Sequence, residues 1–157
     1  MSRRDQIRMS DEEVRAFLED ERTVICATNG HRGWPHLMPL WYVLRSTGDG
    51  GAPEIWAWTF AKSQKARNLE RDARATLQVE AGAEYAELRG VMLECDVVVH
   101  RDVEPTRELG LDLYTRYTGL DDDVREMVDK QASKRVALQF VERRRATWDH
   151  RKLGGVY

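Results

Sequence analysis

The chain has 157 residues, of which 41% are hydrophobic and 33% are charged, and its formal net charge is -2. This length suits a single domain over 1–157, and the apolar content excludes a disordered or low-complexity protein. The near balance of 25 basic and 27 acidic residues argues against a dedicated nucleic-acid-binding protein. No apolar run has the length of a signal peptide or a membrane span, so we expect a cytoplasmic protein without membrane spans.

The first part of the chain is predicted to form a helix and then strands. Residues 1–9 are charged and lack an apolar pattern, so we expect a mobile arm there. Ser10 and Glu13 have the spacing of a capping box, which predicts that the first helix begins at this point. Strands are then predicted over 22–28, 34–45 and 54–60.

The remaining pattern indicates an antiparallel barrel. The predicted elements are a short helix over 63–72, strands over 74–80 and 88–100, a helical insert over 103–132, a sixth strand over 134–142, and one further strand candidate over 145–149. Short hairpin-type links and the absence of regular strand–helix alternation predict a mostly β fold, a β-barrel with peripheral helices.

The helix that begins near Ser63 has an unusual charge pattern in its first turn. Free N–H groups and the helix dipole make this end positive, yet Lys62, Lys65 and Arg67 lie in or beside it. A phosphate bound to the Ser63 hydroxyl, the N–H groups and Lys65 would explain the excess of cations. The alternative interpretation is an ordinary serine cap beside a solvated cationic face.

A second candidate feature is the strand that contains Pro35 and Pro39. Because neither proline has an N–H donor, we expect an edge strand or a bulge. Such a strand would offer free backbone groups to a flat polar ring, and the alternative is a bulged strand of the core. Similarly, Trp41, Trp56 and Trp58 either provide a surface for a planar ligand or belong to the core.

The other reactive residue types show no catalytic or metal-binding pattern. Cys26 and Cys95 lack CxxC spacing and are expected to be buried thiols. The four histidines have no carboxylate at a spacing that completes a metal site, so no metal is expected. The GxSxG, HExxH, P-loop and GxGxxG motifs are absent. No catalytic side chain is therefore assigned, and Tyr42 and Tyr85 are the candidate proton donors.

Five short motifs follow one another along the chain: GWPH at 33–36, PLWY at 39–42, KSQKARNL at 62–69, RGV at 89–91 and WDHRKLG at 148–154. Together they resemble the pyridoxamine 5'-phosphate oxidase-like flavin split-barrel superfamily. The later motifs are most similar to the actinobacterial flavin/deazaflavin oxidoreductases, many of which use coenzyme F420 and some of which use FMN.

The resemblance implies a six-stranded antiparallel split β-barrel and a homodimer with two cofactor sites at the subunit interface. It implies that the strand over 36–41 lies along the cofactor ring and that the helix start at Ser63 holds the phosphate. Arg89 and Gly90 would touch the cofactor, and Trp148 would approach from the partner subunit. The residues expected to bind the cofactor are His36, Met38, Pro39, Leu40, Trp41, Trp58, Thr59, Lys62, Ser63, Gln64, Lys65, Asn68, Arg89, Gly90 and Trp148.

The implied function is an oxidoreductase that uses reduced F420 to transfer a hydride to a small electron-poor acceptor, such as an enone, a quinone or a tetrapyrrole. The alternatives are an FMN-dependent oxidoreductase of the same fold and a non-catalytic protein that binds or stores F420 or FMN. A haem-binding split barrel would need His36 as its ligand. The strand around Met38 lacks the arginine of the biosynthetic oxidases, which argues against vitamin B6 synthesis.

Overall fold

The computed structural model describes residues 2–48 and 52–155, so residues 1, 49–51 and 156–157 of the predicted domain lie outside the described part. The strands are β1 (Val24–Asn29), β2 (Pro35–Leu40), β3 (Val43–Arg45), β4 (Glu54–Phe60), β5 (Arg74–Ala81), β6 (Arg89–His100) and β7 (Arg135–Asp149). The helices are α1 (Arg3–Gln6), α2 (Asp11–Asp20), α3 (Gln64–Arg71), α4 (Val103–Tyr117) and α5 (Asp122–Ala132), with short 3₁₀ helices at Tyr85–Glu87 and His150–Leu153.

One antiparallel sheet has the strand order β2-β1-β5-β6-β7-β4-β3. Its two edges, β2 and β3, are consecutive in the sequence and are separated only by Trp41 and Tyr42. The sheet therefore curls until its edges meet at this dipeptide, and the predicted split barrel is confirmed. The sheet has seven strands rather than six, because the strand expected over 34–45 breaks at the dipeptide.

The break is explained by hydrogen bonds to the end of α4. The Tyr42 N–H donates to the Tyr117 hydroxyl at 3.0 Å. The Tyr42 carbonyl accepts from Arg116 Nη1 at 2.5 Å and from the Tyr117 hydroxyl at 3.0 Å. Since these groups satisfy both backbone atoms of Tyr42, the residue needs no strand partner.

Strands β2 and β7 test two expectations from the sequence. Pro35 and Pro39 lie on β2, an edge strand, as predicted for residues without an N–H donor. Strand β7 is continuous, whereas the sequence indicated a break between 142 and 145. A β-bulge between Glu94 and Cys95 shifts the register of β6 and keeps the two long strands paired.

A large apolar cluster fills the inside of the curled sheet, and α2 contributes to it. The predicted capping box is present, with the Ser10 hydroxyl accepting from the Glu13 N–H at 3.2 Å and Glu13 accepting from the Ser10 N–H at 2.7 Å. Phe17 and Leu18 of this helix are buried in the cluster. Cys26 and Cys95 are free thiols buried in the same cluster, as expected.

A second apolar cluster lies between α4 and the sheet, where Leu109 and Leu113 are fully buried. Gly110 allows the close approach of the helix, because a Cβ atom there would lie 2.5 Å from Trp58 Cζ3 and 2.9 Å from Val128 Cγ1. Helices α4 and α5 occupy the segment expected as a helical insert. Within the described residues, no helix combines the length and the apolar character that crossing a membrane requires.

The N-terminal segment differs from the expected mobile arm. It contains the short helix α1, and the Ile7 carbonyl accepts from the Asp149 N–H at 2.7 Å. The Met9 N–H donates to Thr147 Oγ1 at 2.9 Å, and the Met9 side chain is buried. These contacts dock residues 7–9 against the end of β7, an interaction over 138 residues of sequence that local composition does not reveal.

Candidate functional site

The start of α3 follows directly from β4 and is organised around Ser63. The Ser63 hydroxyl accepts from the Ala66 N–H at 3.2 Å, which makes Ser63 the N-cap of the helix. The Thr59 hydroxyl, at the end of β4, donates to the same oxygen at 3.2 Å. Ser63 is therefore an ordinary N-cap, and protein groups already donate two hydrogen bonds to its hydroxyl oxygen.

Two backbone donors at this end of the helix remain available. The N–H of Ala66 bonds the Ser63 hydroxyl, and the N–H of Arg67 bonds the Ser63 carbonyl at 3.1 Å. The N–H groups of Gln64 and Lys65 have no acceptor among the described residues. The first turn also contains no acidic residue, so the positive end of the helix dipole is not compensated by the protein.

Lys65 is a buried cation without a carboxylate partner in the described part of the chain. Only 4% of the residue is exposed, and its one hydrogen bond runs from Nζ to Thr59 Oγ1 at 3.5 Å. Burial lowers the pKa of Lys65 because the ammonium has lost much of its hydration. Lys62 and Gln64 are exposed at the same turn from β4 into α3, which we call the α3 corner.

Asn68 ties the helix to the sheet. Its side chain is fully buried and donates from Nδ2 to Thr28 Oγ1 of β1 at 3.0 Å. Its carbonyl oxygen accepts from Gln64 Nε2 at 2.8 Å and from Arg71 Nη2 at 3.0 Å. Because protein groups occupy its polar atoms, Asn68 positions the corner rather than offering it a free group.

The hydrogen bond between Asn68 and Thr28 also brings β2 close to α3. His36 pairs with Thr28 in the β1–β2 register, so it lies next to the residue that Asn68 holds. A cleft of about 330 Å³ separates the β1–β2 hairpin from α3, and its walls include His36, Gln64 and Asn68. His36 Nδ1 is buried there and has no hydrogen-bond partner among residues 2–48 and 52–155. The sequence analysis expected β2 to face the start of α3, and the structure places the two on opposite walls of one cleft.

Strand β2 lies on the surface of the folded chain, so the interpretation as a bulged core strand is wrong. Leu37 is 56% exposed, Met38 44% and the following Trp41 43%. Pro39 is exposed and Leu40 is partly buried. The Trp41 ring stacks on Tyr117, with the ring centroids 4.4 Å apart and the planes at 12°.

The other tryptophans pack partly in the core, and their role as a surface for a planar ligand stays a prediction. Trp56 and Trp58 pack against the second apolar cluster and are only partly buried. Trp58 contacts the edge of Tyr114, with a centroid distance of 6.3 Å. Arg135, to which the sequence analysis gave no role in the site, lies over Trp58 at 4.4 Å from the ring centroid. It pairs with Phe60 in the β4–β7 register, which places both aromatic side chains beside its guanidinium.

Arg89, Gly90 and Trp148 come together at the opposite end of β5 and β6 from α3. Gly90 pairs with Trp148, and a Cβ atom on Gly90 would collide with the indole, lying 2.8 Å from its Cε2 atom and 2.8 Å from the Val79 carbonyl oxygen. The guanidinium of Arg89 lies over the Phe17 ring at 5.0 Å. Within the chain, these three residues are therefore remote from the α3 corner.

Neither expected proton donor is tied to the α3 corner. Tyr42 is fully buried, its hydroxyl donates to the Leu18 carbonyl at 2.6 Å, and burial raises the pKa of Tyr42 to about 12. Tyr85 is 63% exposed and contacts His150 in the C-terminal 3₁₀ region. Over the described residues, no group of three or more histidine, cysteine and acidic side chains is arranged to hold a metal ion.

Comparison with known proteins places this geometry in a family. The family model of pyridoxamine 5'-phosphate oxidase, PNPOx_N, matches residues 10–150. The chain belongs to this family. The PNPOx_N match spans both β2 and the α3 corner and ends at the 3₁₀ helix that follows β7.

Solved structures agree with the PNPOx_N assignment. The conserved hypothetical protein Rv2991 from Mycobacterium tuberculosis is 40% identical, with a TM-score of 0.86, over 100% of this chain and 95% of that chain. An F420 reductase is 20% identical, with a TM-score of 0.62, over 83% and 94% of the two chains. The heme storage protein HutZ from Vibrio cholerae is 13% identical, with a TM-score of 0.65, over 88% and 92%. The last two show the fold alone, and a search of curated proteins found no match.

Proposed function

We propose that this protein is an oxidoreductase that binds coenzyme F420 and uses its reduced form to transfer a hydride to a small electron-poor acceptor. The observation that carries the proposal is the buried ammonium of Lys65, which has no carboxylate partner among the described residues. A buried charge without a partner is costly, and a bound phosphate would supply the missing negative charge. The F420 reductase with the same fold supports the choice of cofactor class.

The residues at the start of α3 fit a phosphate group. The free N–H groups of Gln64 and Lys65, the Lys65 ammonium behind them and the hydroxyl proton of Ser63 provide donors at one end of a helix. Lys62 and Arg67 are exposed beside them and would attract a longer anionic tail, which favours F420 over FMN. FMN remains the alternative cofactor.

In this proposal the protein binds and orients, and the deazaflavin supplies the hydride chemistry when it is bound. The exposed strand β2 and Trp41 would hold the ring, with His36 Nδ1 as a polar group that has no partner in the described part of the protein. Asn68 would fix the distance between the helix and the sheet through Thr28. No side chain is assigned as a proton donor, since Tyr42 is committed to the fold.

We further propose a homodimer in which each site takes residues from both subunits. Arg89, Gly90 and Trp148 are remote from α3 within one protomer, so only a second copy of the chain would bring them to the same ligand. The exposed apolar side chains of β2 and its neighbour Trp34, which is 76% exposed, would then be covered by the partner or by the cofactor.

The test is a titration of the purified protein with F420 and with FMN, followed by quenching of tryptophan fluorescence. We expect F420 to bind more tightly than FMN, and Lys65→Met to weaken F420 binding by about 1–3 kcal/mol, the range for a charge-assisted hydrogen bond. Lys130→Met is the matched control, because Lys130 is an exposed lysine paired with Glu126 on α5. Absence of binding by both cofactors, or equal affinities of the Lys65 variant and the wild type, would contradict the proposal.

A second experiment separates an enzyme from a storage protein. The complex with reduced F420 is mixed with a panel of enones, quinones and biliverdin, and reoxidation is followed by absorbance. Protein-dependent oxidation supports the reductase. A complex that binds F420 tightly and is oxidised by no member of the panel supports the non-catalytic alternative.

A further inference from the structure

Arg135 differs from the other arginines of strand β7 in having no acidic partner in the described structure. Arg143 pairs with Asp96 at 2.6 Å, Arg144 with Glu94 at 3.8 Å, and Arg145 with Glu142 at 2.6 Å. The one hydrogen bond of Arg135 runs from Nε to the neutral Gln131 Oε1 at 3.3 Å. Its Nη1 and Nη2 groups have no acceptor among the described residues. The end of the guanidinium that carries these two nitrogens is therefore available to a ligand.

Aromatic rings hold this guanidinium in place. Its central carbon lies 4.4 Å from the centroid of Trp58 and 4.0 Å from the centroid of Phe60. Burial lowers the pKa of Arg135, and no carboxylate acts against that effect. An arginine nevertheless stays charged, so an oriented cation lies partly out of water with no counter-ion among the residues that the structure describes.

The rings around Arg135 continue as a surface that we call the aromatic shelf, consisting of Trp41, Trp58, Phe60 and Tyr114. Tyr114 joins its two ends, since its ring centroid lies 5.9 Å from that of Trp41 and 6.3 Å from that of Trp58. Trp41 is 43% exposed and Phe60 is 48% exposed, so both ends of the shelf are open to a ligand. The shelf thus extends from the end of β2 to Arg135.

We propose that the aromatic shelf and Arg135 bind the acceptor substrate, and that this substrate is a planar conjugated molecule that carries a carboxylate. A flat ligand stacks on exposed aromatic rings, and a guanidinium donates two parallel hydrogen bonds to a carboxylate. Trp41 belongs to the shelf and directly follows β2, the strand proposed to hold the cofactor ring, so a ligand on the shelf would lie next to that ring. The role as substrate rests on the proposed function, whereas binding of a planar carboxylate to the shelf does not.

The binding test uses 1-pyrenebutyrate and its neutral methyl ester as probes, with fluorescence as the readout and no cofactor added. We expect the wild-type protein to bind the acid about tenfold more tightly than the ester. Arg135→Met should remove this preference while leaving the affinity for the ester unchanged. Arg144→Met, in the same strand and outside the shelf, should keep the preference. If Arg135→Met does not fold, as judged by thermal unfolding, Arg135→Gln takes its place with the same expected result.

Titration of the Arg135→Met variant with F420 and FMN shows whether the carboxylate bound by Arg135 belongs to the substrate or to the cofactor tail. Unchanged affinity for both cofactors supports a substrate site. Weaker binding of F420, with FMN unchanged, would mean that Arg135 holds the anionic tail of the cofactor and would overturn the substrate assignment. Equal affinities of the wild type for the acid and the ester would overturn the site itself. If the probe behaves as expected but neither cofactor binds the wild type, the shelf stands and the proposed function fails.

Discussion

Arg116 and Lys65 are two cations of this protein that the fold draws away from solvent, and their surroundings are opposite. Arg116, near the end of α4, donates to the carbonyls of Tyr42, Leu18, Glu19 and Glu21 at distances of 2.5 to 3.0 Å. Lys65, in the first turn of α3, has a single hydrogen bond of 3.5 Å to a threonine hydroxyl.

The difference separates a cation whose donors are used by the fold from one whose charge has no counter-ion among the described residues. Arg116 satisfies carbonyls at the end of α2, where the helix dipole is negative, and so joins three distant segments. The Lys65 ammonium lies at a positive helix end and gains no such compensation. The proposed phosphate site rests on this contrast, because an external anion would supply the compensation that the described residues do not.

The largest expected effect is the loss of stability on removal of Arg116, the cation whose donors are satisfied by carbonyl groups. Arg116→Met should lower the free energy of unfolding by about 3 kcal/mol, because several partly buried carbonyls lose a charged donor at once. Urea denaturation measures this change, and Arg125→Met, an exposed arginine of α5, should have a negligible effect. F420 affinity should be unchanged in the Arg116 variant that remains folded. A loss of stability no larger than that of the control would remove the contrast between the two sites.

Removal of the Lys65 ammonium should have the opposite effect on stability. Lys65→Met keeps the apolar stem and removes the buried charge, so at neutral pH it should raise the free energy of unfolding by about 1 kcal/mol. The same variant is expected to bind F420 less tightly. A variant that loses both stability and affinity would place Lys65 with Arg116 as a structural residue.

The stability gain of Lys65→Met should depend on pH. Burial holds the pKa of Lys65 in the folded protein below its usual value of 10.5, so the folded state disfavours the charged form. The cost is fully present at neutral pH and is relieved as the pH rises through the folded pKa towards 10.5. The difference in unfolding free energy between variant and wild type should therefore shrink over this range. A difference that stays constant with pH would contradict burial of the charge.

The smallest effect concerns the exposed cations around the corner. If Lys62 and Arg67 attract an anionic tail, the affinity for F420 should fall a few-fold as the ionic strength rises, since salt screens exposed charges. The affinity for FMN, which has a shorter anionic part, should fall less. Parallel titrations of the wild type at low and high salt measure both slopes, and equal slopes would argue against a role for the exposed cations.

Much of the local structure was accessible from the sequence because it depends on near neighbours. The capping box of Ser10 and Glu13 and the edge position of Pro35 and Pro39 follow from the properties of single residues, and both predictions are confirmed. The α3 corner was also accessible, because Thr59, Ser63 and Lys65 lie within seven consecutive positions. Their role in cofactor binding stays a prediction.

The features that sequence reasoning missed depend on contacts between distant segments. Nothing near Tyr42 indicates that the end of α4 will satisfy its backbone and break the strand. The sequence predicts a break at Arg143 and Arg144, whereas these arginines pair with acidic residues of β6 and β7 is continuous. The role of Arg135 was not predicted, since the absence of an acidic partner among the described residues is a property of the assembled sheet.

The two prolines of β2 have a consequence for self-association. An open sheet edge is a template on which another chain can add a strand, and repeated addition leads to aggregation. Pro35 and Pro39 remove two N–H donors from a strand of six residues, so the outer rim of β2 cannot form a complete intermolecular ladder. The protein can therefore keep this rim accessible to a small molecule while avoiding growth into fibrils.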